Sequence, residues 1–276
     1  MKAQVGGYAR AKDVSDAIRL LAEADGMGRL LAGGQSLVAA LNMGLTGGDL
    51  LVDITGVSDL QGVAEEGDML VIGALTRHSQ IATDPLVMQH APLLSQAAPL
   101  IAHDAIRNRG TIGGSLAHAD PAAEFPACVL ALDAVIRLEG PDGRRDVAAT
   151  SFFKEVFETD LQEGEILTGI AVPKATAGER HIIREAARRA GDYAIAGLAV
   201  VLRGGAHRIA VFGAGPTPIL CTDAMEMLDA GDLDRAVSAL AAALDPPSDT
   251  QGSAAYRRHL AGVLLRRIAA ELKESA

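Results

Sequence analysis

Tryptophan is absent, and aromatic residues make up only 3% of the 276 residues. Stacking platforms for bases or sugars are therefore scarce. Cysteine occurs twice, at Cys128 and Cys221, and no Cys-x-x-Cys is present. The chain by itself builds neither an iron–sulfur cluster nor a structural zinc site, and the two cysteines read as reduced, buried thiols of a cytoplasmic protein. Runs of basic residues are missing, and the formal net charge is −10. That field repels a phosphate backbone, which argues against a nucleic-acid partner. No apolar run is long enough to predict a membrane span, and the stretch Met1 to Gly7 lacks the apolar segment of a secretory signal. The seven histidines form no His-Glu-x-x-His or other metal-ligand pattern, and no Gly-x-Ser-x-Gly elbow occurs. Metal sites and a serine hydrolase centre are unsupported.

What is present is a large apolar content. Hydrophobic residues reach 49% and the mean hydropathy is +0.21. A sizeable core can be buried, with apolar surface left for partner subunits. The length suits two, or three, domains. The 30 glycines exceed the usual roughly 7%, which directs attention to places where the backbone bends sharply or approaches something closely.

The spacing of Val14, Ala17, Ile18 and Leu21 after Asp13 predicts a capped helix. A strand is expected over Arg29 to Ala32, a helix from Leu37 to about Gly44, and strands over Leu50 to Ile54 and Met69 to Gly73. A helix-like stretch follows from Thr76 to Ile81, and a helix over Leu93 to Leu100. Asp120-Pro121 has the form of a helix cap followed by proline at the first helical position, with Phe125, Val129 and Leu132 as the apolar stripe. Val135 to Leu138 reads as a strand and Pro141-Asp142-Gly143 as a turn. The texture changes near Pro173 to Gly178. Beyond it, strands are expected over Ala194 to Leu202 and Arg208 to Phe212, joined by a glycine hairpin, then helices over Asp232 to Leu244 and Ala254 to Leu272.

Two glycine loops carry the chemistry. The first is Leu31-Ala32-Gly33-Gly34-Gln35-Ser36-Leu37, between a strand and a helix. Paired glycines let the backbone approach a ligand with no Cβ in the way, and the helix start offers unpaired N–H groups to an anion. The second is Gly110-Thr111-Ile112-Gly113-Gly114-Ser115, followed by Asp120 and Glu124. Each alone is weak punctuation; two in one half suit a ligand with two phosphates and a long body. Gly213-Ala214-Gly215-Pro216 mimics a dinucleotide fingerprint, but it lacks the third glycine and its prolines oppose a helix, so it reads as a loop. His103 and His118, near the second loop, read as surface histidines.

Three segments in order, Ala32-Gly33-Gly34-Gln35-Ser36-Leu37, Thr111-Ile112-Gly113-Gly114-Ser115-Leu116 with Ala119-Asp120-Pro121, and Ala190-Gly191-Asp192-Tyr193-Ala194, resemble the FAD-binding medium subunit of the molybdenum hydroxylase family, of the aerobic carbon monoxide dehydrogenase and xanthine dehydrogenase type. The resemblance runs from Tyr8 to Tyr256-Arg257. It implies an α+β fold: an FAD-binding domain of the vanillyl-alcohol-oxidase (PCMH) type over residues 1–173, in two subdomains of about 1–58 and 59–173, then a smaller α+β domain over 174–276 with a three-stranded antiparallel sheet and helices. It places Leu31, Ala32, Gly33, Gly34, Gln35, Ser36 and Leu37 on the pyrophosphate. Gly110, Thr111, Ile112, Gly113, Gly114 and Ser115 wrap the diphosphate and ribityl region. Further contacts fall on Thr76, Ile101, Ala102, Asp120, Glu124, Leu167, Arg184, Asp192 and Tyr193, the last beside the isoalloxazine ring. Many relatives carry asparagine at Ser115 and lysine at Glu185, where neighbouring Arg184 can substitute. Gln35 stands where some carry histidine, and nothing suggests a covalent flavin link. The expected cofactor is non-covalent FAD, with molybdopterin on a large partner subunit and [2Fe–2S] clusters on a small one, assembled as a dimer of heterotrimers. No catalytic residue or metal ligand is assigned. The rival readings are a self-contained flavoenzyme, which needs an acid or base beside the ring, and a flavin-free scaffold subunit.

Overall fold

The computed structural model describes residues 4–274; Met1 to Ala3 of the N-terminal stretch, and the last two residues, lie outside them. The chain opens with a three-stranded parallel sheet in the order Gly7–Arg10, Leu50–Asp53, Gly28–Leu31. Two helices connect the strands, Val14–Glu23 and Leu37–Met43. Asp13 caps the first by accepting from the Asp16 N–H at 2.7 Å. Gly44, at φ 71°, ends the second in the left-handed conformation that glycine adopts without strain. Ala17, Val52, Ile54, Val57 and Leu60 form a small core of their own. In such a parallel unit the crevice outside the carboxyl ends of the strands is where ligands bind. Here those ends are Leu31 and Asp53.

A five-stranded antiparallel sheet follows, in the order Val63–Glu66, Met69–Gly73, Ile166–Pro173, Val135–Gly140, Gly143–Ala148. Its middle strand, Ile166–Pro173, is almost wholly buried. The helices Pro92–Ala97, Ile112–His118 and Glu124–Ala131 share the core with it. Every residue of Glu124–Ala131 is buried.

That helix corrects one expectation. Asp120-Pro121 does not cap it. Asp120 closes a turn instead, accepting the Ala122 N–H on its carboxylate at 2.9 Å and the Ala123 N–H on its carbonyl at 3.0 Å. The helix begins at Glu124 because Pro126 tolerates only the first turn; begun at Asp120, the helix would need the N–H that Pro126 lacks.

The last sheet is antiparallel: Arg180–Ala186, Ala196–Arg203, Ala206–Phe212 and the two-residue strand Ile219–Leu220. It has four strands where three were expected, the fourth being too short to leave a sequence pattern. Gly204 and Gly205, both at positive φ, turn the hairpin as expected. Alternation along the strands builds two cores at once. Ile183, Ala199, Val201, Ala210 and Phe212 pack into the core of the Glu124–Ala131 helix. Ile182, Leu198, Val200, Ile209 and Val211 pack on the helices Thr222–Asp229, Leu233–Ala243 and Ala254–Glu274. The fold class is α+β.

Candidate functional site

The first glycine loop leaves the strand Gly28–Leu31 and enters the helix Leu37–Met43. Gly34 sits at φ 74°. Among the described residues, the backbone N–H groups of Gly33, Gly34, Gln35, Ser36 and Leu37 meet no acceptor; Val38 is the first to bond, to the Gly34 carbonyl at 3.1 Å. Gln35 Nε2 folds back to donate to the Gly33 carbonyl at 3.0 Å. Five successive unused donors at a strand end form a cradle for an anionic oxygen.

The second loop is built differently. Its N–H groups are used inside the protein: Ile112 donates to Thr76 O at 3.0 Å, Gly113 to Ala74 O at 2.9 Å, and Gly114 to Thr111 Oγ1 at 3.2 Å. Gly113 is glycine for packing, because a Cβ there would lie 2.5 Å from the Ala74 methyl. The two loops meet. A Cβ on Gly33 would stand 2.2 Å from Arg109 O and 2.9 Å from Gly110 Cα, and one on Gly114 would reach 3.9 Å from the Ala32 methyl. The second loop contributes close backbone packing against the first rather than free donors.

Beside the first loop lies a cleft of about 480 Å³, lined by Leu31 to Gln35 together with Val38, Asn42, Asp53, Thr55, Ile106 and Arg109. Asp53 ends the central parallel strand. Burial works to raise its carboxyl, but the Thr55 side chain, the Tyr8 hydroxyl at 2.5 Å and the Thr55 N–H at 2.8 Å outweigh this and hold it below the ordinary value. The sequence reading missed Asp53 and Arg109, since only strand order and the loop contact bring them to the cleft.

The helix Ile112–His118 leads from the loops, over roughly 10 Å at 1.5 Å per residue, to a second cluster at Asp120, Glu124 and Tyr193. Tyr193 is 70% exposed. Desolvation of its hydroxyl, then the negative charges of Asp120 and Glu124, raise its phenol above the ordinary value. Burial pushes Glu124 up to about 8, with the charge of Glu185 adding to it.

Two arginines unseen as site residues fix this end. Arg107 donates to the carbonyls of Ile101 and Ala102, both at 2.9 Å, and pairs with Asp104. Ala102 takes φ 46°, and Gly191 presses on it so closely that a Cβ would lie 2.5 Å from Ala102 O. The Ile101-Ala102 turn and the loop carrying Asp192 and Tyr193 are thus held together. Arg257, 5% exposed, donates to Ile195 O at 2.6 Å and Gly213 O at 2.7 Å while gripping both oxygens of Asp249 at 2.8 Å. Gly213 N–H in turn donates to Pro121 O at 2.8 Å. The Gly213-Ala214-Gly215 segment is a loop after a strand, and its role is this tie.

Three of the expected residues are engaged within the protein itself. The Thr76 hydroxyl is buried and bridges the Gly62 N–H and carbonyl at 3.2 and 3.0 Å. Leu167 lies in the core, 5% exposed. Arg184 does not substitute for a cation at Glu185: strand alternation turns it to the opposite face, where it pairs with Glu271 at 2.6 and 3.0 Å. Ser115 and Asp192 remain at the margin of the cluster, part-buried and exposed respectively. His103 is exposed, and His118 lies against the Phe157 ring with centroids 4.9 Å apart. Among the described residues no group of side chains is arranged to hold a metal ion.

Residues 2–175 match the family described as the FAD binding domain in molybdopterin dehydrogenase, and residues 181–272 match the CO dehydrogenase flavoprotein C-terminal domain. The chain belongs to this family of FAD-binding subunits. It is 38% identical to the 6-hydroxypseudooxynicotine dehydrogenase complex subunit alpha of Paenarthrobacter nicotinovorans, over 98% of this chain and 95% of that protein. It is 37% identical to the carbon monoxide dehydrogenase medium chain of Hydrogenophaga pseudoflava, over 94% of each. Among solved structures it is similar to carbon monoxide dehydrogenase from Hydrogenophaga pseudoflava, with a TM-score of 0.93 at 36% identity over 97% of this chain and 96% of the other. Quinoline 2-oxidoreductase from Pseudomonas putida 86 gives a TM-score of 0.93 at 34% identity over 100% and 99%.

Proposed function

We propose that this chain is the FAD-carrying subunit of a molybdenum hydroxylase complex, and that it passes electrons from the iron–sulfur clusters of a partner subunit to an external acceptor. The observation that carries the reading is the row of five unused N–H groups from Gly33 to Leu37, in a loop that packs against the second glycine loop at Arg109 and Gly110. That arrangement fits a diphosphate, and the roughly 10 Å path along Ile112–His118 fits the body of a dinucleotide. FAD, when bound, exchanges electrons one or two at a time.

In this reading the Gly33 to Leu37 donors hold the phosphate oxygens, and Gly110 to Ser115 form the wall on which the ribityl chain lies. Ile101-Ala102, Asp120, Glu124 and Tyr193 border the ring. Residues 1–173 hold the cofactor, and 174–276 supply Tyr193 and close the ring end. The partners are a large molybdopterin-binding subunit and a small [2Fe–2S] subunit, in a dimer of heterotrimers. No helix among the described residues is long and apolar enough to cross a membrane, and we place the complex in the cytoplasm.

The test is to purify the full chain alone and with the products of neighbouring genes. The chain alone should show flavin bands, and acid precipitation should release all the colour. Substrate should bleach the flavin anaerobically only in the complex. Colour left in the pellet overturns the non-covalent assignment. Turnover by the chain alone at the rate of the complex overturns the relay.

A further inference from the structure

Strand Arg180–Ala186 separates its charged residues by face. Ile182 and Arg184 look toward the three C-terminal helices, where Arg184 is paired with Glu271. Ile183 and Glu185 look the other way, into the core shared with the Glu124–Ala131 helix. Glu185 pairs across the sheet with Gly197, and Gly197 with Phe212. A Cβ on Gly197 would stand 2.1 Å from the Phe212 ring, so that ring covers the glycine and lines the Glu185 row with hydrocarbon.

Two carboxyls border this pocket without matched partners. Glu185 Oε2 is buried with no hydrogen-bond partner. Glu124 is 6% exposed, and among the described residues no donor reaches its carboxyl beyond its own backbone N–H. The charge of Glu185 acts on Glu124, and both act on the buried thiol of Cys128, one turn further along the helix. The other titratable groups facing the pocket are Asp120 from the preceding turn and Tyr193 from the loop after Ala186; His78 lies behind, its ring edge-on to Phe125 at 5.0 Å.

Among the described residues no cation pairs with either carboxyl. Arg184 is on the opposite face. Arg188 donates to Thr250 O, Arg107 to the Ile101 and Ala102 carbonyls, and Arg257 to Asp249, Ile195 and Gly213. An ionised carboxylate buried without a donor or a cation is strongly unfavourable, and keeping its proton removes most of that penalty.

We propose that the buried, donor-poor carboxyls of Glu124 and Glu185 together retain at least one proton in the folded chain at neutral pH, and that this acid pair couples proton uptake to reduction of the bound flavin. The second half rests on the FAD reading above. As electrons arrive from the partner's iron–sulfur clusters, negative charge grows beside the pair and favours its protonated form. One O–H bond then forms on the remaining carboxylate, with a proton drawn from solvent on the open Tyr193 side. It breaks again, returning that proton to water, when the electrons leave for the external acceptor. Burial is in keeping with this, holding Glu185 up at about 7 and Glu124 at about 8.

Infrared spectroscopy of the full chain reads the pair directly. A protonated-carboxyl band should be present at neutral pH, weaken as the pH is raised to about 9, and be missing from the Glu124→Gln/Glu185→Gln double variant. A wild-type spectrum with no such titrating band overturns the pair, whatever the flavin does. Should the double variant fail to fold, the same wild-type titration with carbon-13 glutamate identifies the carboxyl.

Redox titration of the flavin-loaded chain reads the coupling. The wild-type midpoint potential should fall with pH more steeply than that of Glu185→Gln, whose potential should be the higher at the alkaline end. Equal slopes with the infrared band intact overturn the coupling alone. A colourless wild-type chain that still shows the band overturns the FAD reading and leaves the pair standing.

Discussion

Gly33 is packed directly onto Arg109: a Cβ at position 33 would lie 2.2 Å from the Arg109 carbonyl oxygen. The contact locks the first glycine loop to the second, and it involves backbone on both sides, so neither can yield cheaply. Gly33→Ala should therefore part the loops, with a loss of stability of about 1–3 kcal/mol as for other overpacked sites and a several-fold loss of bound flavin. Thermal denaturation and the flavin-to-protein absorbance ratio check this. Gly34→Ala is the contrast. Its φ of 74° costs about 1 kcal/mol, yet the nearest atom a Cβ would meet is a Val38 methyl at 3.1 Å, so the loops stay joined. If the two variants lose flavin equally, the contact with Arg109 is not what holds the cradle.

Arg257 should matter more than its distance in sequence from the loops suggests. Arg257→Met keeps the volume but takes the donor from the Ile195 and Gly213 carbonyls, while Asp249 keeps the N–H groups of Gln251 and Gly252. Leaving a buried carbonyl without its donor costs about 1–3 kcal/mol. The ties from Gly213 to Pro121 and from Ile195 to the Tyr193 loop should loosen together. Hydrogen exchange should report faster opening at both; exchange unchanged at the Gly213 N–H would contradict the linkage.

Tyr193, at 70% exposed, contributes little packing. Tyr193→Ala should leave the melting temperature within the range of ordinary surface substitutions, about 0.5 kcal/mol. It should alter flavin fluorescence or the rate of reoxidation by acceptor. Tyr193→Phe separates ring from hydroxyl. No change in either optical signal would return Tyr193 to a plain loop residue.

His78 gives an acid-sensitive element. Burial, with the charge of Arg107 adding to it, pushes the imidazole down from 6.5 to about 4, and both ring nitrogens lack partners. Between those values the unfolded chain binds a proton that the folded chain refuses. Stability from this group is therefore present above about 6.5 and lost as the pH falls toward about 4. The buried carboxyls act with the opposite sign: their folded-state values are raised, so their contribution declines as the pH rises from about 4.5 toward 8. The difference between wild type and His78→Leu isolates the histidine. The wild-type melting temperature should fall more between pH 7 and about 5 than that of the variant, and parallel curves would contradict the assignment.

Much of the first glycine loop was legible because it is local. Ala32-Gly33-Gly34-Gln35-Ser36 announces a strand end, a left-handed glycine and a helix start within a few residues, and the helix closing at Gly44 follows from the same signals. What escaped depends on pairing across the chain. Asp53 reaches the cleft only because Leu50–Asp53 lies between two parallel neighbours. Ile166–Pro173 carries no alternation, since both its faces are covered. Without the strand Arg180–Ala186 in view, nothing fixed which of Arg184 and Glu185 points inward, and the basic residue was credited with the acidic one's position. Asp120-Pro121 looked like a cap because the restraint set by Pro126 acts from six residues downstream.

The burial of the Glu124–Ala131 helix on all sides has a consequence for biogenesis. Part of its cover is the sheet face formed by Ala199, Val201, Ala210 and Phe212, which the ribosome has not yet made when the helix emerges. At roughly 5–20 residues per second, the stretch from Ala131 to Ala196 takes on the order of several seconds to appear. Throughout that interval the side of the helix that this sheet will cover stays open on the nascent chain. The flavin end of the molecule is therefore completed late, and the chain's own last third acts as the clamp that ends its exposure to aggregation.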